Sequence, residues 1–362
     1  MSVSFEITSS IKSYQVEVLT NMLKHKGYDP QQNIILIDSL VLELYPFLQS
    51  ENLITIPAIE ELKSLDTVAN VIEKLRSLGA NRNSHLIAIG GGIIQDIATF
   101  TASVFMRGIT WSYYPTTLLG MVDSCIGGKS SLNVGHYKNI AGNFYPPEKI
   151  TVDTDFCGTL SKIELISGLC EAVKICFADR GNKFDEYLKL TNQEGFISRD
   201  NLAKAISLSL LTKKEFIEVD EFDTGVRLLL NFGHTFGHAI EAAGNYSITH
   251  GVAVGVGMQI AIQLSSQLDI NVKENIRVKK LQEYLSILLK PVVGLAGNLK
   301  AISGELLFKK FQSDKKHTGR AYVIIIPNNE GYLERKYVEK TEKFEQLLIN
   351  SFEIIKGLNE IQ

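Results

Sequence analysis

The chain has 362 residues, 45% of them hydrophobic and 21% charged, with a formal net charge of −3. One small core cannot hold that length, and the charge balance argues against nucleic acid as a partner, so one large or two medium soluble domains are expected. The opening MSVSFEITSSIKSYQVEVLT has no basic-then-apolar leader, no run reaches transmembrane length, and Cys125, Cys157, Cys170 and Cys176 lack C-x-x-C or disulfide-framework spacing; reduced thiols in a cytoplasmic protein without a membrane partner are expected.

Asn33–Asp38 (NIILID) is an apolar run ending in an acid, the signature of a strand buried on both faces. From Ile59 to Gly79, Leu62, Leu65, Val68, Val71, Ile72 and Leu75 form a helical stripe. A second buried strand, His85–Gly90, runs into Gly90-Gly91-Gly92, which opens a helix. Trp111–Pro115 predicts a third strand, ending at Thr116-Thr117. This alternation predicts a parallel sheet with helices on both faces. Beyond about Asp155, 161–179, 200–222, 233–244 and 250–268 predict helices. A strand or hairpin over 320–332 and a helix over 338–355 follow, so an α/β domain precedes a mainly helical one.

Four stretches carry chemistry. In Asn231-Phe-Gly-His234-Thr-Phe-Gly-His238-Ala-Ile-Glu241, two histidines lie one helical turn apart, and His250-Gly251 follows. Imidazole is the commonest protein metal ligand, and Gly168-Leu-Cys-Glu171-Ala-Val-Lys174 can add a carboxylate. Taken alone, the HxxxH pair equally suits two satisfied histidines on a helix. Glycines at Gly90–Gly92 let backbone amides approach a phosphate at a helix N-terminus, although such turns also serve as plain connections. Asp38 stands where nucleotide-binding sheets place an acid for a ribose hydroxyl, and a helix cap is an equal reading. Asp123-Ser-Cys-Ile-Gly-Gly-Lys129, with Asn133, Lys138 and Asn139, suits a phosphorylated sugar or a solvated loop. Arg227, near Asn231, His234 and His238, offers a planar fork for a carboxylate.

These runs, together with Phe105-Met-Arg107-Gly, Pro115-Thr-Thr-Leu-Leu, Thr159-Leu, Asp220-Glu221 and Asp314-Lys315-Lys316, occur in one unbroken order. In that order the chain resembles the 3-dehydroquinate synthase family, within the sugar phosphate cyclases, over about residues 34 to 330. The resemblance implies an N-terminal Rossmann-like parallel-sheet domain binding NAD (1–155). A mainly α-helical metal- and substrate-binding domain (156–362) would follow. It implies one divalent metal, zinc or cobalt, on Glu171, His234 and His250. NAD would be met by Asp38, Glu60, Lys63, Gly91, Gly92 and Asp96, and further by Thr116, Thr117, Lys129, Lys138, Phe156 and Thr159. Asp123, Lys174, Asn231 and His238 are the implied catalytic residues, the first three on ring hydroxyls and His238 on the phosphate. Lys129, Asn139 and Lys315 or Lys316 would share that phosphate, and Lys213 and Arg227 would hold a carboxylate. Arg107 would reach in from the neighbouring subunit of a homodimer.

The implied reaction converts 3-deoxy-D-arabino-heptulosonate 7-phosphate to 3-dehydroquinate and phosphate by transient NAD oxidation, elimination, reduction and aldol closure. A sedoheptulose 7-phosphate cyclase, or a metal-dependent polyol dehydrogenase, is the alternative. Departures from the family pattern are Ile59 before Glu60, Gln95 for the last glycine of the GGGxxGD turn, Val252 after His250-Gly251, and the run Ser130–His136. Gln95 is expected to put a side chain near the cofactor phosphates.

Overall fold

The computed structural model describes residues 2–20, 33–135, 137–268, 272–314 and 317–361, and every structural statement below concerns those residues. They form two compact units: residues up to Ser161 with Leu202–Glu221, and Lys162–Asn201 with the remainder from Phe222.

The first unit holds β1 (Val3–Ile7), β2 (Tyr14–Leu19), β3 (Asn33–Asp38), α1 (Ser39–Leu44), β4 (Leu53–Ile56) and α2 (Leu65–Ser77). β5 (His85–Gly90), α3 (Gly92–Val104), β6 (Thr110–Pro115), β7 (Leu132–Val134), β8 (Tyr137–Ala141) and β9 (Lys149–Asp153) follow. The described sheet runs β1-β2-β9-β6-β5-β3-β4, parallel except for the β1–β2 pair. Between their polar first or last residues β3 and β5 are apolar, because sheet neighbours and helices enclose them. α2 starts at Leu65, later than the apolar stripe alone predicts. Glu60–Leu62 makes a separate 3₁₀ turn, and the Ser64 hydroxyl caps the helix by accepting from the Thr67 amide at 3.3 Å.

The strand order reverses between β3 and β5: from β3 the chain steps outward to β4, then returns to β5 on the other side. Such a switch leaves a crevice at the carboxyl ends of the two strands, where open α/β sheets bind ligands. Asp38 ends β3, and Gly90 ends β5 and leads through Gly91 into α3 at Gly92.

The second unit contains α4 (Lys162–Ala178), α5 (Lys183–Lys189), α7 (His234–Ala243), α8 (His250–Gln267), α9 (Ile276–Leu289), α10 (Leu295–Lys300) and α11 (Gly304–Gln312). The antiparallel pair β10 (Ala321–Pro327) and β11 (Leu333–Glu339) precedes α12 (Glu342–Ile361). Val338 and Glu339, expected at a helix start, complete β11 instead, because each cross-pairs with β10. α6 (Arg199–Val219) carries most of its length, from Leu202, in the first unit.

Glycines set how closely α4, α7 and α8 approach. A Cβ on Gly251 would lie 2.2 Å from the Ser167 carbonyl of α4. One on Gly257 would lie 2.2 Å from the Gly233 carbonyl and 2.8 Å from the Gly237 amide. Backbone meets backbone at both contacts, so His234 and His238 on α7, His250 on α8 and Glu171 on α4 converge.

Candidate active site

In the second unit, Glu171 is 1% exposed and Lys174, one turn along α4, is 2% exposed, and the two form a buried ion pair. Glu171 Oε1 lies 3.7 Å from His234 Nε2 and 3.6 Å from His250 Nε2. Donors about 2.1 Å from a shared tetrahedral ion sit about 3.4 Å apart, so these three atoms have the spacing of a metal-ligand face.

The other ring nitrogens turn away. His250 Nδ1 lies 3.2 Å from Glu241 Oε2, and His234 Nδ1 lies 3.4 Å from the Phe232 carbonyl. A proton on each Nδ1 serves those acceptors and presents both Nε2 lone pairs on the Glu171 side. Burial lowers the His250 pKa, but the Glu241 hydrogen bond and charge, with Glu171 adding, outweigh it and raise it above the ordinary value. The same carboxylate makes the imidazole a more basic ligand.

His238 also joins the cluster. Its ring centroid is 5.4 Å from that of His234 and 5.6 Å from that of His250, and the three rings offer nitrogens within 4.8 Å of one another. The geometry therefore allows His238 as a ligand, while its exposure suits a group facing an anion. Arg227, buried, and Asn231 lie on the short 3₁₀ segment Val226–Asn231 that leads into α7.

In the first unit, Gly91 precedes α3 without a side-chain cap, and the α3 N-terminus lies at the switch-point crevice. A Cβ on Gly91 would come 3.0 Å from the Thr117 methyl, so Thr117 lies beside the turn. Asp38 caps α1: its Oδ1 accepts from Leu40 N at 3.2 Å and Ala58 N at 3.3 Å. Burial nevertheless leaves its pKa raised. Thr116 and Phe156 are buried, the Tyr45 ring meets that of Phe156 edge-on, and Thr159 Oγ1 lies 3.1 Å from the Tyr45 hydroxyl.

Glu60, Lys63, Asp96 and Lys138, expected near a cofactor, form one network. Lys63 Nζ bonds Asp96 Oδ2 at 2.9 Å, Ser131 N bonds Asp96 Oδ1 at 3.0 Å, and Lys138 Nζ lies 3.7 Å from Glu60 Oε1. Asn133, named in the sequence only as part of a polar stretch, binds both halves: its Nδ2 donates to Glu60 Oε1 at 2.9 Å and its amide to the Lys63 carbonyl at 2.8 Å. Glu241 too carried no expected role, and its place three residues after His238 on the same helix was the available signal.

Burial pushes the Asp96 carboxyl up to about 6, although Lys63 and the Ser131 amide pull it down. Because the folded pKa lies above the unfolded one, the protein gains a proton on folding between these values. The stability this contributes is present at low pH and lost as pH rises through about 6. Relative to Asp96→Asn, the unliganded wild type is expected to lose about 2 kcal/mol of stability between pH 4 and pH 7. Denaturant titrations of both proteins across that range check this, and parallel curves would refute it.

Gly120–Ser124 is a π-helical turn, closed by the Cys125 amide on the Gly120 carbonyl at 3.0 Å, and it presents Asp123. Lys213 on α6 reaches this turn: its ammonium lies 2.5 Å from Asp123 Oδ1, 2.6 Å from the Asp123 carbonyl and 3.3 Å from the Ile126 carbonyl. Lys129 follows the turn, with Nζ 5.8 Å from the Phe144 ring centroid, and exposed Asn139 has a left-handed backbone at φ 56°. Met106 and exposed Arg107 also lie in the left-handed region, at φ 51° and 71°, a strained conformation of the kind concentrated at functional sites. Lys315 and Lys316 lie outside the described residues. Gln95 corrects an expectation: its side chain is 4% exposed and bonds Ser124, so it does not face a phosphate at the α3 N-terminus.

Comparison with known proteins adds independent findings. The model described as "3-dehydroquinate synthase N-terminal" matches residues 53–167, and "3-dehydroquinate synthase C-terminal" matches 168–317. A 3-dehydroquinate synthase of Xylella fastidiosa strain 9a5c is 46% identical over 198 residues, 54% of this chain and 50% of that protein. One from Natranaerobius thermophilus is 36% identical over 292 residues, covering 78% of this chain and 76% of the relative. The chain thus spans about half the length of the first curated relatives it matches.

Among solved structures, a 2-deoxy-scyllo-inosose synthase complexed with carbaglucose-6-phosphate, NAD+ and Co2+ has a TM-score of 0.80 at 24% identity, covering 96% of this chain and 99% of its own. A 2-epi-5-epi-valiolone synthase from Streptomyces hygroscopicus subsp. jinggangensis 5008, with NAD+ and Zn2+ bound, scores 0.78 at 24% identity, covering 97% and 99%. At that identity the likeness establishes the fold, a Rossmann-like part followed by a helical one. No described helix is long and apolar enough to cross a membrane.

Proposed function

The chain belongs to the 3-dehydroquinate synthase family, and on that premise we propose that it converts 3-deoxy-D-arabino-heptulosonate 7-phosphate to 3-dehydroquinate and phosphate in the cytoplasm. The observation that carries the reading is the Glu171–His234–His250 donor face, with both Nδ1 atoms committed elsewhere. We assign the divalent metal, zinc or cobalt, to these three residues and NAD to the 1–155 part, where the switch-point crevice and the α3 N-terminus supply an anion site. When bound, NAD takes up and returns a hydride, and the metal acidifies the alcohol it holds.

The remaining roles fall on this chain's side chains. Lys174, already held against Glu171, places a buried cation beside the hydroxyl that must lose its proton. Asn231 Nδ2 donates to the Leu228 carbonyl at 3.1 Å, so Oδ1 is its atom for a substrate hydroxyl. Asp123, paired with Lys213, accepts from another. The exposed imidazole of His238 meets the departing phosphate. Arg227 takes the carboxylate as a bidentate fork. The exposed, left-handed Arg107 is consistent with a side chain serving a neighbouring protomer's site, and we include that homodimer in the reading.

Phosphate release from this substrate, with NAD and zinc or cobalt, and product identification by NMR test the reading. Phosphate with dehydroquinate and no net NADH is expected. Turnover of sedoheptulose 7-phosphate alone would move the chain to another cyclase branch, and net NADH from a polyol would make it a dehydrogenase. Arg227→Ala is expected to lower kcat/KM for the carboxylate substrate about 100-fold, the loss of a charge-assisted pair worth roughly 3 kcal/mol. Binding of a sugar phosphate without a carboxylate should change little, and equal losses for both would remove Arg227 from this role.

A further inference from the structure

At Gln95 this chain carries a long polar side chain where the resembled pattern has glycine, and the side chain is 4% exposed. It is engaged at both ends of its amide. Nε2 donates to the Ser124 carbonyl at 2.7 Å, and the Ser124 hydroxyl donates to Oε1 at 2.9 Å. Ser124 is the last residue of the π-helical turn that presents Asp123. Gln95 sits in the first turns of α3, whose N-terminus is the proposed dinucleotide site.

The turn is otherwise held from the α6 and β2 sides. Ser209 Oγ donates to the Val122 carbonyl at 2.9 Å, Lys213 binds Asp123 and the Ile126 carbonyl, and the Gly127 amide donates to the Tyr14 hydroxyl at 2.8 Å. Gln95 is the tie from α3. A π-helical turn has a looser bond pattern than an α-helix and keeps its shape only where the surroundings hold it. A part-buried two-way pair between the Gln95 amide and Ser124 is such a hold, since breaking it leaves polar atoms in a largely enclosed place without their bonds.

We propose that Gln95 is a positioning residue: through Ser124 it fixes the Gly120–Ser124 turn to α3, and so sets where Asp123 stands for the substrate. The inference rests on the reading of Asp123 as a substrate ligand, and its first test does not depend on turnover. Amide hydrogen exchange is measured on wild type, Gln95→Ala and Ser124→Ala, without substrate. In Gln95→Ala, peptides covering Gly120–Lys129 should exchange about tenfold faster while β5 and β6 keep wild-type protection. Unchanged exchange over Gly120–Lys129 overturns the proposal whatever the enzyme turns over.

Kinetics then separate positioning from mere support. Gln95→Ala should lower kcat/KM for the sugar phosphate about 10- to 100-fold, leave the NAD dissociation constant within about twofold, and be non-additive with Ser124→Ala. Ser124→Ala removes one bond of the pair and supplies the milder variant should Gln95→Ala fold poorly. A fall in melting temperature with unchanged kinetic constants makes Gln95 a structural residue and ends the inference. So does weakened NAD binding with intact substrate constants. Failure of the wild type to release phosphate would instead count against the function proposed above.

Discussion

His250→Ala is expected to lower kcat by at least about 10³-fold and to strip the metal from the purified protein in the same step. Its Nε2 is one of two imidazole donors facing Glu171 Oε1, so two donors remain where a catalytic divalent site needs three. Metal content and turnover are to be measured on one preparation. Full metal occupancy with near-wild-type turnover would exclude His250 as a ligand and favour a different donor set, with His238 the nearest imidazole. Glu241→Gln separates the outer support from the ligand. Losing the carboxylate behind Nδ1 should weaken metal affinity about 10- to 100-fold while the donor set stays complete.

Gly251→Ala should damage the same site without touching a donor atom. The added methyl would stand 2.2 Å from the Ser167 carbonyl and 2.5 Å from its Cα, so α8 must move away from α4. Overpacking at a backbone contact is expected to cost about 3 kcal/mol of stability. It should also weaken metal binding strongly, because Glu171 and His250 sit on opposite sides of that contact. Chemical denaturation and a metal titration of the folded variant measure the two effects separately. A stable variant with wild-type metal affinity would show that the crossing does not set the donor spacing.

Much of the fold was readable along the chain wherever burial leaves a local trace. β3 and β5 are apolar at nearly every position because both their faces are covered, and the helices α4, α6, α7 and α8 fall where the periodicity predicts them. Several strands were not read. β4 (LITI) is too short to stand out, β9 (KITVD) sets only two apolar residues among polar ones, and the alternation in β1 and β2 shows only once they are paired. The hairpin β10–β11 was read only in its first half, because the charged LERKYVE of β11 carries little hydrophobic signal and takes its form from pairing with β10.

By itself, the sequence determined the family pattern, the element types and the residue kinds at the site: three histidines, a glutamate, a glycine turn and a basic loop. Tertiary structure alone decided the partners. It turned Glu241 onto His250 Nδ1, brought Lys213 onto Asp123 from 90 positions away, and aimed Gln95 at Ser124 instead of at a phosphate. Periodicity encodes which face of an element is buried, because that depends on neighbours within a turn or two. Which polar atom meets which depends on how closely two elements cross, and here that distance is set by glycine contacts such as Gly251 on Ser167, which no local pattern reveals.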